Sequence, residues 1–331
     1  TVAKAHSLAA IAAYALESAG IEDEAFDNEK NNAIRKNIIF DAEREGVTDR
    51  LEEEGIWYMP LKGIIIKDMY PAIGMRQMCD NDILFDKRYR DRLVMIMEQQ
   101  GFSLNKEDTS HDIVFYKEPV CNFEMHIELF GGGNFYQLNS FFEEIAENRV
   151  IKDEDNKFGY HLSDEDYYLY MIAHEFKHFT LGGVGLRSFV DTYIYLENKK
   201  ATLDRDYISE QVKLMGMEDF ESKNREIAYK LFEGRRLSDD EREMFDYCVF
   251  SDSYGKLKNR VTNRYNKNSK SKLRYIKSRL ILPDEMVKYT FPYFYEHKYL
   301  MPLLPIYRMF MGLFKARKRM FSEIRMLMHI K

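Results

Sequence analysis

LKGIIIKDMYPAIGMRQMCDNDILF, residues 61–85, is the stretch on which the fold turns. An extended run at 56–62 stops at Gly63, where a helix is expected to open and run to about Tyr70, and 80–85 then reads as a strand. Alternate residues of a strand project from one face, so Asp80 and Asp82 can point the same way and share a hard divalent cation. Asp-x-Asp is a weak signal by itself. It gains weight from Arg76 just ahead of it and from the alternating run CNFEMHIELF at 121–130, which puts Glu124, His126 and Glu128 on one face of a second strand. DIVFYK at 112–117 precedes that run across a short turn, and the two read as a hairpin.

A carboxylate from that neighbouring strand would bring three acids together. Three carboxylates around two Mg²⁺ ions are what nucleotidyl transfer requires, because one metal lowers the pKa of the attacking hydroxyl and both neutralise charge developing on the α-phosphate. Glu124 and Glu128 have the same facing, and either can complete the set.

Outside this unit the hydrophobic period is helical. Residues 3–18 and about 24–54 read as helices, the second with Ile34, Ile38, Ile39 and Phe40 as its apolar stripe, and 88–100 as another. Ser163 to Asp166 resembles a capping box with Asp in place of Glu, and helices are expected at 164–180, 184–197, 204–215, 218–233 and 238–249, followed by a basic helical set to 331. The polar, basic patch KNRVTNRYNKNSKSK at 258–272 reads as an exposed loop. The expected class is α+β: a small mixed-sheet domain at 56–160, N-terminal helices at 1–55, and a larger helical domain with a basic segment at 161–331.

The 331 residues are 45% apolar and 14% aromatic, enough for a large core. Cys79, Cys121 and Cys248 are odd in number and widely spaced, which fits neither a disulfide framework nor a cysteine zinc site and points to a reducing, cytoplasmic setting. SLAAIAAYALESAG near the start is short and contains Glu17, so a surface helix is expected there rather than a leader, and no run reaches the roughly 18 to 20 apolar residues of a spanning helix. The net charge of −6 hides an asymmetry: from Lys256 onward 19 Lys and Arg face 4 acids, a net +15, which leaves −21 on the first 255 residues. Such a segment suits a polyanion, nucleic acid or membrane lipid, or else packs against the acidic body.

AHEFKHF at 173–179 carries His-Glu-x-x-His. On a helix His174 and His178 lie one turn apart and can reach one Zn²⁺ while Glu175 activates its water. The third ligand is the difficulty: Val184 stands where the extended motif has a histidine, and Glu197 lies in LENKK, which reads as a solvated helix end. A zinc metallopeptidase and a non-catalytic nucleotide or nucleic-acid binding module are the rival readings. The plainer account of the two histidines is a helix face packed on the sheet.

At Leu61-Lys62-Gly63 and Arg76-Gln77-Met78-Cys79-Asp80-Asn81-Asp82 the chain resembles the nucleotidyltransferase superfamily that includes DNA polymerase beta, and more closely its family of uncharacterised bacterial nucleotidyltransferases. Glu124-Met125-His126 matches that family's later acid-x-His. His174, His178, Arg187 and Asp191 match its His-x-x-x-His helix with a following Arg and Asp, although an i,i+4 salt bridge would explain the last two. The resemblance implies Asp80, Asp82 and Glu124 as catalytic metal ligands, Lys62, Gly63, Arg76 and His126 around the nucleotide, two Mg²⁺ ions, an NTP substrate and an acceptor that is a small molecule, a protein or RNA. It also makes Glu175 incidental. The chain departs from the superfamily in one respect, since the usual phosphate-binding turn is Gly-Ser and here it is Lys62-Gly63.

Overall fold

The structure, a computed structural model, describes residues 1–105, 112–130, 135–251, 257–267, 270–315 and 317–329. The chain opens on a short helix, α1 (Val2–Ala5), and a helical hairpin of α2 (Ala9–Ser18) against the long α3 (Glu24–Glu53). Asp23 caps α3 by accepting from the amides of Ala25 and Phe26. The buried residues of α3 are Ala33, Asn37, Phe40, Val47 and Leu51; of the expected stripe Phe40 is among them, Ile39 packs half-buried against the same core, and Ile38 is 54% exposed. The helix runs on to Glu53, about three and a half turns beyond Phe40, with Val47 and Leu51 on the same face, and that longer stripe sets its rotation on the sheet.

Five strands form the sheet: β1 (Tyr58–Pro60), β2 (Asn81–Phe85), β3 (Ser103–Leu104), β4 (Asp112–Lys117) and β5 (Cys121–His126), in the order β1-β2-β5-β4-β3. Between β1 and β2 lies α4 (Gly63–Ile66), prolonged by a 3-10 turn at Lys67–Met69; α5 (Arg90–Gln99) leads from β2 to the far edge. The chain then returns through β3 and β4 as a meander, so β5 comes to lie beside β2 and parallel to it, while the other three pairings are antiparallel. β4 and β5 are the expected hairpin, but β5 ends at His126 rather than continuing to 130, which leaves Glu128 beyond the strand.

All five residues of β2 are buried because both faces of the sheet are covered. Ile83, Phe85, Phe123 and Met125 pack with Phe40, Val47 and Leu51 of α3 and Leu93, Ile96 and Met97 of α5. On the opposite face Met59 and Leu84 join a core that continues through α6 (Tyr136–Asn148), α7 (Asp164–Leu181), α8 (Arg187–Asn198), α9 (Arg205–Leu214), α10 (Glu218–Phe232) and α11 (Asp239–Ser251). A small ribbon, β6 (Ile151–Lys152) with β7 (Tyr160–His161), joins the two halves. Ser163 caps α7 by accepting from the Asp166 amide at 3.1 Å, as the sequence suggests.

The basic end of the chain is helical as well: α12 (Leu257–Lys267), α13 (Lys272–Leu280), α14 (Asp284–Thr290), α15 (Pro292–Glu296), α16 (Leu304–Lys315) and α17 (Arg317–His329). The loop expected at 258–272 is therefore mostly α12, with residues 268–269 outside the described part. Val261 and Tyr265, one turn apart, are buried with Tyr275 of α13 and Leu327 of α17, and the Asn263 amide donates to the carbonyls of Phe179 and Thr180 at the end of α7. Two apolar residues at helical spacing were enough to outweigh a polar composition. Among the described residues no helix is long and apolar enough to cross a membrane.

Candidate active site

Leu61-Lys62-Gly63-Ile64 is a tight turn closed by the Ile64 amide donating to the Leu61 carbonyl at 3.2 Å. Lys62 stands in it at φ 47°, ψ −118°, a conformation that glycine adopts easily and a lysine does not. The Tyr167 hydroxyl of α7 donates to the Lys62 carbonyl at 2.5 Å and holds the turn from above. Gly63 is packed tightly: a Cβ there would meet Arg76 Nη1 at 2.4 Å and Met78 Sδ at 2.9 Å. With α4 only four residues long, the turn's side chain and packing matter more here than a helix dipole.

The strained turn aims Lys62 across the sheet, where its Nζ lies 2.6 Å from Asp82 Oδ1. Asp82 and Leu84 project from the face of β2 opposite Ile83 and Phe85, and Glu124 and His126 do so from β5. The parallel register makes Asp82 and Glu124 direct neighbours. His126 Nε2 is 2.7 Å from Asp82 Oδ1 and 3.9 Å from Glu124 Oε2. Asp82, Glu124 and His126 offer ligand atoms within 4.8 Å of one another, the one such group of three found among the described residues. Asp80, just before β2, lines the same cavity with Lys62, Asp82 and Glu124; the cavity has a volume of about 250 Å³. Glu128 does not line it.

The acids are electrostatically unequal. Burial works against the charge of Asp82, yet Lys62 and the His126 hydrogen bond more than offset it and hold the carboxyl below its usual range. Asp80, buried and beside the Asp82 charge, is pushed up to about 6. Glu124, buried and facing both aspartates, is pushed up to about 8. Burial and then the Lys62 charge lower the His126 imidazole, which is therefore neutral and donates its Nε2 proton to the ionised Asp82. That bond orients Asp82, and an oxygen-preferring cation would use the carboxylates ahead of this nitrogen.

The helical wall of the cavity is made by α7 and α8. Arg76 is held in a buried fork on Asp191 of α8, Nε to Oδ1 at 2.9 Å and Nη2 to Oδ2 at 3.0 Å, and Asp191 also accepts from the Tyr70 hydroxyl at 2.6 Å. In this arrangement Arg76 braces the sheet against α8, although it still borders the cavity. Asp191 is accordingly only loosely paired with Arg187, at 3.9 Å, instead of forming a simple intrahelical bridge. Arg187 donates to the Gln77 carbonyl at 2.9 Å and adds positive charge opposite Asp80. Arg187 is singled out in the sequence only by the family resemblance and Tyr167 by nothing, because both reach the cavity on helices distant in the chain.

His174 and His178 line the cavity with Nε2 atoms 3.3 Å apart. Burial first, then neighbouring Lys62, lowers His174 well below the usual imidazole range. No third ligand joins them among the described residues. Glu197 accepts from the Tyr229 hydroxyl at 2.9 Å and pairs with Lys200 away from the cavity, while Glu175 borders the cavity and accepts from the Asn224 amide at 3.1 Å. The His-Glu-x-x-His pattern lies on the part of α7 that borders the cavity.

The model of a family described as "Uncharacterised nucleotidyltransferase" matches residues 1–233. No curated protein and no solved structure matches the chain. The match covers more than two thirds of the 331 residues, including every residue of the cavity, and the chain belongs to this family.

Proposed function

We propose that this nucleotidyltransferase uses Mg²⁺ and an NTP, and passes the nucleoside monophosphate to an acceptor hydroxyl. The observation that carries the reading is the crowding of Asp80, Asp82 and Glu124 on one sheet face at the floor of the cavity, with two of the three carboxyls pushed up to about 6 and about 8. Acids placed so close that they retain protons near neutrality are relieved by a divalent cation, and carboxylate oxygens are the donors Mg²⁺ takes. Asp80, Asp82 and Glu124 would hold it, and when bound it neutralises charge on the α-phosphate and the leaving pyrophosphate. Lys62 and Arg187 add fixed positive charge at the cavity for the phosphates. Glu124 accepts the proton of the acceptor hydroxyl, the hydroxyl oxygen bonds to the α-phosphorus, and pyrophosphate departs with the electrons of the broken Pα–O bond. In this reading residues 56–160 form the catalytic domain, with 1–55 and 161–331 as its helical frame.

The test is isothermal titration with non-hydrolysable ATP, GTP, CTP and UTP analogues, with and without Mg²⁺, repeated on the Asp80→Asn/Asp82→Asn double variant. Metal-dependent binding that the variant loses is the expected result and names the base. A folded protein that binds none of the four would leave a non-catalytic module in place of an enzyme.

A further inference from the structure

The family match ends at residue 233, and the last helices carry a surface of their own. Fourteen of the 28 exposed large apolar residues found among the described residues lie at or beyond Leu273, in the last fifth of the chain. They fall at helical spacing. On α16 Leu303, just before its start, Tyr307, Phe310 and Phe314 recur at intervals of four, three and four and are 53%, 42%, 51% and 82% exposed, with the rings of Phe310 and Phe314 stacked 6.4 Å apart. On α17 Phe321, Ile324 and Met328 form a second exposed stripe, beside the buried Leu327 that packs with Val261, Tyr265 and Tyr275. A monomer rarely leaves such stripes to water without a use for them.

The charge beside the stripes is positive. Arg317 lies over the Phe321 ring at 5.9 Å, and Arg325 is exposed next to Ile324. Glu323, by contrast, is turned inward: it accepts from the Tyr275 hydroxyl and pairs with Arg279 at 2.8 Å. The segment from Lys256 carries a net +15. We infer that α16 and α17 form a docking surface for an anionic lipid bilayer, their apolar stripes entering the headgroup boundary while the flanking basic side chains meet lipid phosphates. Such helices lie in the interface plane and do not span it. RNA would account for the charge and for stacking on the rings, but not for Leu303, Ile324 and Met328, which offer a nucleic acid nothing. A bilayer accounts for both. The inference is independent of the transfer reaction.

Co-sedimentation of the full chain with vesicles tests it, using phosphatidylcholine alone and phosphatidylcholine with phosphatidylglycerol in equal parts. The protein should pellet with the anionic vesicles and stay in solution with the neutral ones. A Phe310→Ser/Phe314→Ser variant, which keeps every charge and alters only exposed side chains, should bind the anionic vesicles at least about tenfold more weakly while its melting temperature is unchanged. Three outcomes would overturn the inference: no pelleting with anionic vesicles, pelleting that the double variant leaves intact, or binding of polyuridylate that vesicles cannot displace.

Discussion

Lys62 Nζ lies 2.6 Å from Asp82 Oδ1, and the residue that makes this contact does so from a backbone conformation lysine avoids, φ 47° and ψ −118°. A strained turn is thus kept in order to place one cation among three acids, and the site's behaviour follows from that balance.

Asp80 is the acid whose removal separates function from folding. Its carboxyl is pushed up by burial and by the Asp82 charge, so ionising it costs stability without a cation. Asp80→Asn should leave the metal-free melting temperature unchanged or higher, while lowering transfer by about a hundredfold or more through lost metal affinity. Calorimetry and a pyrophosphate-release assay check the two halves, and a variant that unfolds or stays active would count against the assignment.

Metal binding should depend on pH with a definite sign. Glu124 sits at about 8 in the folded chain, above its ordinary carboxyl value, so between roughly pH 4.5 and 8 the folded state holds a proton that the unfolded state has lost. Stability without metal therefore falls as pH rises through that window. Asp82, held below its usual range, stays ionised throughout it. Mg²⁺ competes with the Glu124 proton, so the rise in melting temperature on adding Mg²⁺ should be larger at pH 8.5 than at pH 6, and Glu124→Gln should flatten the difference.

Strain at Lys62 is measurable by comparing two variants that both lose the ammonium group. Lys62→Gly adopts φ 47° freely and Lys62→Ala does not. Allowing for the greater freedom of glycine in the unfolded chain, Lys62→Gly should be the more stable by about 1 kcal/mol in denaturant titration. Equal stabilities would mean that the turn is relaxed in solution.

The Arg76–Asp191 fork should be the costliest polar contact to break in the cavity wall. Asp191→Asn leaves the buried Arg76 guanidinium without its counter-charge and takes an ionised partner from the Tyr70 hydroxyl. A loss of about 3–5 kcal/mol is expected, read from the urea midpoint at constant slope. Arg187→Gln, which loses the 3.9 Å contact to Asp191 and the hydrogen bond to the Gln77 carbonyl but leaves the buried fork intact, should cost less.

Much of this architecture is visible in the chain before any folding is considered. The period-two spacing of Asp80 and Asp82, the glycine that ends the extended run, the β4–β5 hairpin and the Ser163 cap are local features, and local sterics and hydrogen bonding decide them. The errors were also local in origin. In α3 four apolar residues near the middle draw the expected stripe away from the better-spaced Val47 and Leu51, although Phe40 and Ile39 do reach the core, and in α12 the Asn and Lys residues conceal Val261 and Tyr265.

By itself, then, the sequence determined which residues share a face, where helices begin, and that the last segment is strongly basic. Only the tertiary structure decided that Glu124 and not Glu128 stands beside Asp82, since this rests on β5 lying parallel to β2 and ending at His126. It likewise decided that Arg76 is bound to Asp191, 115 residues away, and that the stripes of α16 and α17 face outward. The reason is physical: a strand's own residues set its alternation, but its neighbour and register come from what covers the sheet on both sides, and that covering is supplied by distant parts of the chain.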